Sequence, residues 1–230
     1  MSKTIVVVGF GPGISTGVAE KFGAEGFNVA LVGRTKERLD AGAAALKAKG
    51  INAVAFVADA SNPAAIGKLI DEVRATFGTI TAIHWNAYGD SQAGDLTAAS
   101  ETEIRGVFDV AISGLLSAVQ TALPDLKASK GAVLITNGAF GELNDQINHY
   151  AAASNNMGLA MANAAKHKLV GLLAAKLKAD DVFVGEVMIA GSIKGTSWAA
   201  GNPNPIEPSL VGETFYKLFD QRADNYARLS

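Results

Sequence analysis

The sequence predicts an α/β domain in which a parallel sheet is doubly wound and covered by helices on both faces. Three observations carry that expectation. Short β-branched runs alternate with longer Ala/Leu/Lys/Glu segments, the pattern of stacked strand–helix–strand units. The runs are almost continuously apolar, as a strand buried on both faces must be. The first of them, Ile5-Val6-Val7-Val8, passes directly into Gly9-Phe10-Gly11-Pro12-Gly13 and then a helical pattern. Such a corner lets backbone N–H groups approach a pyrophosphate, whose charge the helix N-terminus stabilises.

Taken in order, the strands are expected at Thr4–Val8, Asn28–Gly33, Asn52–Val57, Ile80–Asn86, Gly131–Asn137 and Val182–Ile189. The intervening helices are expected at Ile14–Glu25, Lys36–Lys49, Pro63–Phe77, Glu101–Lys127 and Tyr150–Lys178, with a last one at Ser209–Arg222. Pro63 suits the first turn of the third helix, where its missing N–H costs nothing. Ser100 and Glu103 have the spacing of a capping box for the fourth. There is no linker, repeat or low-complexity tract, so residues 1–230 are expected to form a single domain. The Pro/Gly-rich stretch from Gly191 to Pro208 follows the sixth strand and is expected to close over a ligand.

Composition narrows the class of partner. A net charge of -2 offers no electrostatic footprint for nucleic acid or an anionic membrane. No apolar stretch approaches the roughly 20 residues that span a bilayer, and the N-terminal run is strand-long and ends at glycine. The absence of cysteine removes disulfides and thiolate chemistry and suits a reducing compartment. A soluble cytoplasmic protein is expected. His84, His149 and His167 are scattered and suggest no metal site.

The glycine turn does not fit G-x-G-x-x-G, because the sixth position is Ile14 counted from Gly9 and Thr16 counted from Gly11. What fits is Gly9-x-x-x-Gly13-Ile14-Ser15. This resembles the G-x-x-x-G-x-G turn of the short-chain dehydrogenase/reductase family, with Ser15 replacing the last glycine. The resemblance runs from about Thr4 to Thr196 and implies a Rossmann-type sheet. After the second strand, Gly33-Arg34-Thr35 offers no acid until Glu37, so a ribose-binding carboxylate is missing. Arg34 is instead a planar cation suited to a 2′-phosphate, with Lys36 and Arg38 nearby, which favours NADP over NAD. By the resemblance, Asp59 and Ala60 stand where the adenine is contacted. Asn86-Ala87-Tyr88-Gly89 resembles the family's N-A-G element. The cofactor-binding set is therefore Gly9, Gly11, Gly13, Ile14, Ser15, Arg34, Asp59, Ala60, Asn86, Ala87 and Thr196.

The family's chemistry rests on a Tyr-x-x-x-Lys motif, a serine on the preceding strand and often an asparagine on the fourth helix. Tyr150 falls at the tyrosine position, but Ser154 occupies the lysine position, Gly138 the serine position and Ala111 the asparagine position. A hydroxyl at Ser154 supplies no positive charge. That handicaps oxidation more than reduction, since a phenol is already a proton donor. Lys194, in a loop that resembles the family's P-G-x-x-x-T segment ending at Thr196, is the nearest candidate cation. Tyr150, Ser154 and Lys194 are the expected catalytic residues. Trp85, Tyr88, Phe140, Leu143 and Trp198 suggest an apolar or aromatic carbonyl pocket. The expected protein is an NADP(H)-binding oxidoreductase acting on a small carbonyl or alcohol, and the resemblance implies that the fourth and fifth helices pair between subunits in a homodimer or homotetramer. The competing expectation is a nucleotide-binding sensor or scaffold without turnover.

Overall fold

A computed structural model describes residues 3–89 and 93–230. The strands are β1 (Lys3–Val8), β2 (Phe27–Gly33), β3 (Ala53–Val57), β4 (Ala82–Trp85), β5 (Ala132–Gly138), β6 (Phe183–Ile189) and β7 (Tyr226–Leu229). They form one seven-stranded sheet in the order β3-β2-β1-β4-β5-β6-β7, and every pairing is parallel. The helices are α1 (Ile14–Ala24), α2 (Lys36–Ala48), α3 (Pro63–Phe77), α4 (Glu101–Phe108), α5 (Leu115–Ser129), α6 (Asp145–Ala153), α7 (Met157–Leu177) and α8 (Pro208–Gln221).

The continuous apolar strands are explained by two cores. Val6, Val8, Ile83, Trp85, Val133 and Ile135 point to the side covered by α3, α5 and α7. Their neighbours Ile5, Val7, Ala82 and Leu134 point to the side of α1, α2 and α8, where Phe22, Phe27, Phe215 and Phe219 meet. Alternation puts successive residues on opposite faces, so both must be apolar. On the second side α1 and α8 pack backbone to backbone. A Cβ on Gly17 would lie 1.9 Å from Pro208 O, and one on Gly212 would lie 2.3 Å from Gly17 O.

The sequence-based caps hold: Ser100 and Glu103 form both bonds of the box, and Pro63 starts α3 behind an Asn62 cap. Two helices depart from expectation. The run foreseen at Glu101–Lys127 contains a π-helical segment, Asp109–Gly114, where a wider turn seats Val110, Ala111 and Gly114 inward. An 18-residue window within the run Glu101–Ser129 also has a mean hydropathy of 1.5, so this helical run is long and apolar enough by composition to cross a bilayer, contrary to the expectation that nothing was. In the fold, 39% of that window is buried, and Leu115, Ala118, Val119, Ala122 and Leu126 face inward.

The helix foreseen at Tyr150–Lys178 is broken in two. Asn155 takes a left-handed φ of 53°, and Asn156 Nδ2 donates to both Ser154 O and Ser154 Oγ at 2.9 Å. The first amides of α7 then go elsewhere, from Met157 to Gly94 O and from Gly158 to Ala93 O. Strand β7 was not foreseen. The Gly191–Pro208 stretch closes on itself: Ile193 bridges Ile206, and Lys194 pairs with Glu207 at 2.7 Å.

Candidate active site

The glycine corner is built by close approaches. Gly9 has φ 83°, and a Cβ there would lie 2.5 Å from Ala87 N, so the β1 turn presses on the end of β4. Its carbonyl accepts from Asn86 Nδ2 at 3.2 Å, while the Gly9 and Phe10 amides donate to Val32 O. Gly13, at φ 90°, caps α1, and a Cβ there would meet Thr196 Cγ2 at 2.7 Å. Gly13 offers no side-chain cap, so the helix's first-turn N–H groups point toward the cleft end where an anion would sit.

Ser15, placed by the sequence in the cofactor-binding set, turns inward instead. Its side chain is fully buried, accepting from Gly11 N–H at 2.9 Å and donating to Gly11 O at 3.0 Å. Thr16 Oγ1 donates to the same carbonyl. The serine thus braces the turn from within, and it is this bracing that lets a side chain replace glycine.

One cleft of about 1130 Å³ runs along the carboxyl ends of the strands, on both sides of the point where strand order reverses between β1 and β4. At one end it is lined by Gly9, Gly11, Ile14, Arg34, Arg38, Asp59, Ala60 and Ser61. Asp59 accepts from Ser61 N–H and Oγ, bonds that hold its carboxyl below the usual range, helped by Arg34. Asn86, Ala87 and Thr196 line the middle. The other end holds Ala111, Thr136, Gly138, Phe140, Tyr150, Ala162, Asn163 and Lys166, with Trp198 from the loop. Gly13 and Ser15 lie just behind this surface rather than on it.

Tyr150 sits on the cleft but on α6, with its ring stacked on Phe140 at 5.8 Å. Ser154 and Lys194 do not line the cleft. The helix ends at Ala153, so Ser154 Oγ folds back to donate to Tyr150 O at 2.6 Å. Lys194 is held outward by Glu207. Trp85 and Leu143 also miss the pocket foreseen for them: Trp85 is in the core, and Leu143 is 98% exposed.

The lysine that reaches the Tyr150 end of the cleft is Lys166, which has no place in the sequence-based site. Its Nζ donates to Thr136 O at 3.2 Å, and burial pushes the ammonium down to about 8 against the opposing pull of Glu186. Lys166 stands four residues after Ala162, and both line the cleft. The Tyr-x-x-x-Lys spacing therefore recurs on α7 with alanine at its head. The available signal was the buried stripe Ala162, Lys166, Val170, spaced by four, in which a lysine is out of place. Beneath it, Glu186 is 1% exposed and accepts from Asn137 Nδ2 at 2.5 Å and His167 Nδ1 at 2.7 Å. His84 contacts Thr136 Oγ1 through Nε2, and complete burial lowers its pKa to about 3, leaving it neutral.

Comparison with known proteins adds an independent line. The profile described as short chain dehydrogenase matches residues 3–184. A 3-oxoacyl-[acyl-carrier-protein] reductase of Staphylococcus aureus is 29% identical over 163 residues, covering 69% of this chain and 66% of that one. A meso-2,3-butanediol dehydrogenase of Serratia marcescens is 34% identical over 140 residues, 61% of this chain and 55% of its own. The chain thus matches just under two thirds or less of these relatives' lengths. Among solved structures, a metagenomic short-chain oxidoreductase in complex with NADP gives a TM-score of 0.82 at 22% identity, covering 100% of this chain and 99% of that one. L-sorbose reductase from Gluconobacter frateurii, complexed with NADPH and L-sorbose, gives 0.85 at 19% identity, covering 100% and 95%.

Proposed function

The chain belongs to the short chain dehydrogenase family, and we propose that it is an NADP(H)-dependent oxidoreductase reducing a small carbonyl compound, with Tyr150 as proton donor. The observation that carries this reading is the continuity of one cleft from the uncapped start of α1 to Tyr150 and Lys166. A dinucleotide fits the lining. Amides of the Gly9–Ile14 turn and the α1 terminus would take the pyrophosphate. Arg34, with Arg38 beside it on the cleft, would take a 2′-phosphate. Asp59 and Ala60 would flank the adenine, and Asn86, Ala87 and Thr196 would line the way to the nicotinamide.

When bound, the reduced nicotinamide supplies a hydride. Everything else falls to the chain. Tyr150 Oη donates the proton to the substrate oxygen, approaching from α6 rather than from the helix that bears the lysine. Lys166 provides the positive charge that neither Ser154 nor Lys194 brings to the cleft. With a pKa of about 8 it is mostly protonated at pH 7 and electrostatically favours negative charge growing on that oxygen. Phe140, Ile147 and Trp198 give the pocket an apolar wall suited to a small organic carbonyl. A cysteine-free chain suits the reducing cytoplasm. Met161 and Leu172, 41% and 57% exposed on α7, support self-association through that helix.

The test is NADPH oxidation against a panel of aldehydes and ketones, with calorimetry for NADPH and NADH. Tyr150→Phe should lower kcat about 10²–10⁴-fold with NADPH affinity unchanged. Tight NADPH binding without turnover on any compound would favour the sensor reading instead.

A further inference from the structure

We propose that Asn163 is the residue that binds and polarises the substrate's carbonyl oxygen, a task that Gly138 at the end of β5 cannot perform. The proposal rests on the reductase reading above. Gly138 has no side chain, and a Cβ built on it would stand 2.7 Å from Asn163 Nδ2. The amide therefore fills the room that a hydroxyl-bearing side chain at position 138 would need. It does so from the opposite direction, from α7.

Asn163 is 3% exposed, yet its side-chain amide has no hydrogen-bond partner among the described residues. Neither amide atom is among the fully enclosed unpaired atoms, which are Thr4 Oγ1, His84 Nδ1 and Trp85 Nε1. Asn163 instead lines the cleft, where a ligand can reach it.

Its backbone is clamped from two sides. Asn137 Nδ2 donates to Asn163 O at 2.9 Å, and Gly138 N–H donates to Asn137 Oδ1 at 3.0 Å. The turn after β5 presses against the same residue, since a Cβ on Gly141 would lie 2.6 Å from Asn163 C. The amide is thus held by the strand whose missing side chain it replaces. Lys166 follows three residues on, on the same helix face. The two present a neutral donor and a cation to one oxygen. As the carbonyl carbon becomes tetrahedral, its oxygen keeps the hydrogen bond from Nδ2–H. No proton leaves Asn163, and Tyr150 protonates the oxygen.

Asn163→Ala should lower kcat/KM for carbonyl reduction about 10²–10³-fold, the loss typical of one donor aimed at a developing oxyanion, with NADPH affinity and melting temperature little changed. The decisive variant relocates the group. With the amide gone, Gly138→Ser in the Asn163→Ala background gains room for its hydroxyl and should recover at least tenfold over Asn163→Ala alone. A purely structural Asn163 would give no such recovery. Asn163→Ala retaining kcat/KM within threefold of wild type, or a double variant no better than the single one, would overturn the proposal. Wild-type protein that binds NADPH but turns over no carbonyl would overturn the reductase reading and this inference together. The wild-type and variant assays therefore tell the two failures apart.

Discussion

Burial depresses the pKa of Lys166 to about 8, from the 10.5 it holds in a solvated chain. Between those values the unfolded protein binds more protons than the folded one, so stability rises with pH there and is lowest below about 8. Lys166→Met removes this dependence. Wild type should gain about 2–3 kcal/mol on Lys166→Met between pH 7 and pH 10, read from urea midpoints. Reduction should weaken as pH climbs through about 8, and that inflection should vanish in Lys166→Met if residual turnover is measurable. Residue by residue, the placement of the glycine corner, Arg34 and Asp59 on one cleft was legible because the signals are local: a glycine turn after β1, a cation where an acid would sit, an aspartate after β3. Lys166 was not. The spacing counted from Tyr150 lands on Ser154, and only the insertion that forms α6 shows that the count should begin on α7.

Among the elements, α1 and α8 are the closest-packed pair, and glycine is what permits it. Gly17→Ala would drive a Cβ to within 1.9 Å of a backbone carbonyl. It should cost about 3 kcal/mol or more, or prevent folding, because neither backbone can yield. Gly171, inside α7 with open space around it, is the control: Gly171→Ala should stabilise by about 0.5–1 kcal/mol. Thermal melts of both variants check the pair. Strands and caps were readable because apolar runs and capping boxes act over a few residues. The α6–α7 break was not, because it depends on amides of Met157 and Gly158 meeting carbonyls of Gly94 and Ala93, some sixty residues away in sequence. Strand β7 escaped for another reason: Tyr226-Ala227-Arg228-Leu229 is a short edge with no apolar run to announce it.

For the molecule as a whole, the reversal of strand order between β1 and β4 decides where a ligand can bind. All the strands are parallel, so their carboxyl ends share one rim, and the cleft lies along it. A ligand spanning that rim ties both halves of the sheet together. NADPH at a hundred times its Kd should add about 2.7 kcal/mol of stability, which for a chain this size raises Tm by about 5–11 °C. NADH at equal concentration should raise it less if Arg34 reads a phosphate, and Arg34→Ala should erase the difference. The parallel sheet with helices on both faces was foreseeable from periodicity, since alternation of strand and helix leaves few topologies open; the seventh strand at its edge was not.

The stretch from Gly191 to Pro208 holds itself together through the Ile193–Ile206 bridge, the Lys194–Glu207 pair and the bond from Asn202 to Ser192. It behaves as a cassette: exchanging its tip for another sequence would leave the sheet beneath it undisturbed. On the proposed reductase reading, preference for one compound over another would drift without a toll on folding, and a library randomised at Ser197–Ala200 should stay largely foldable while its selectivity spreads.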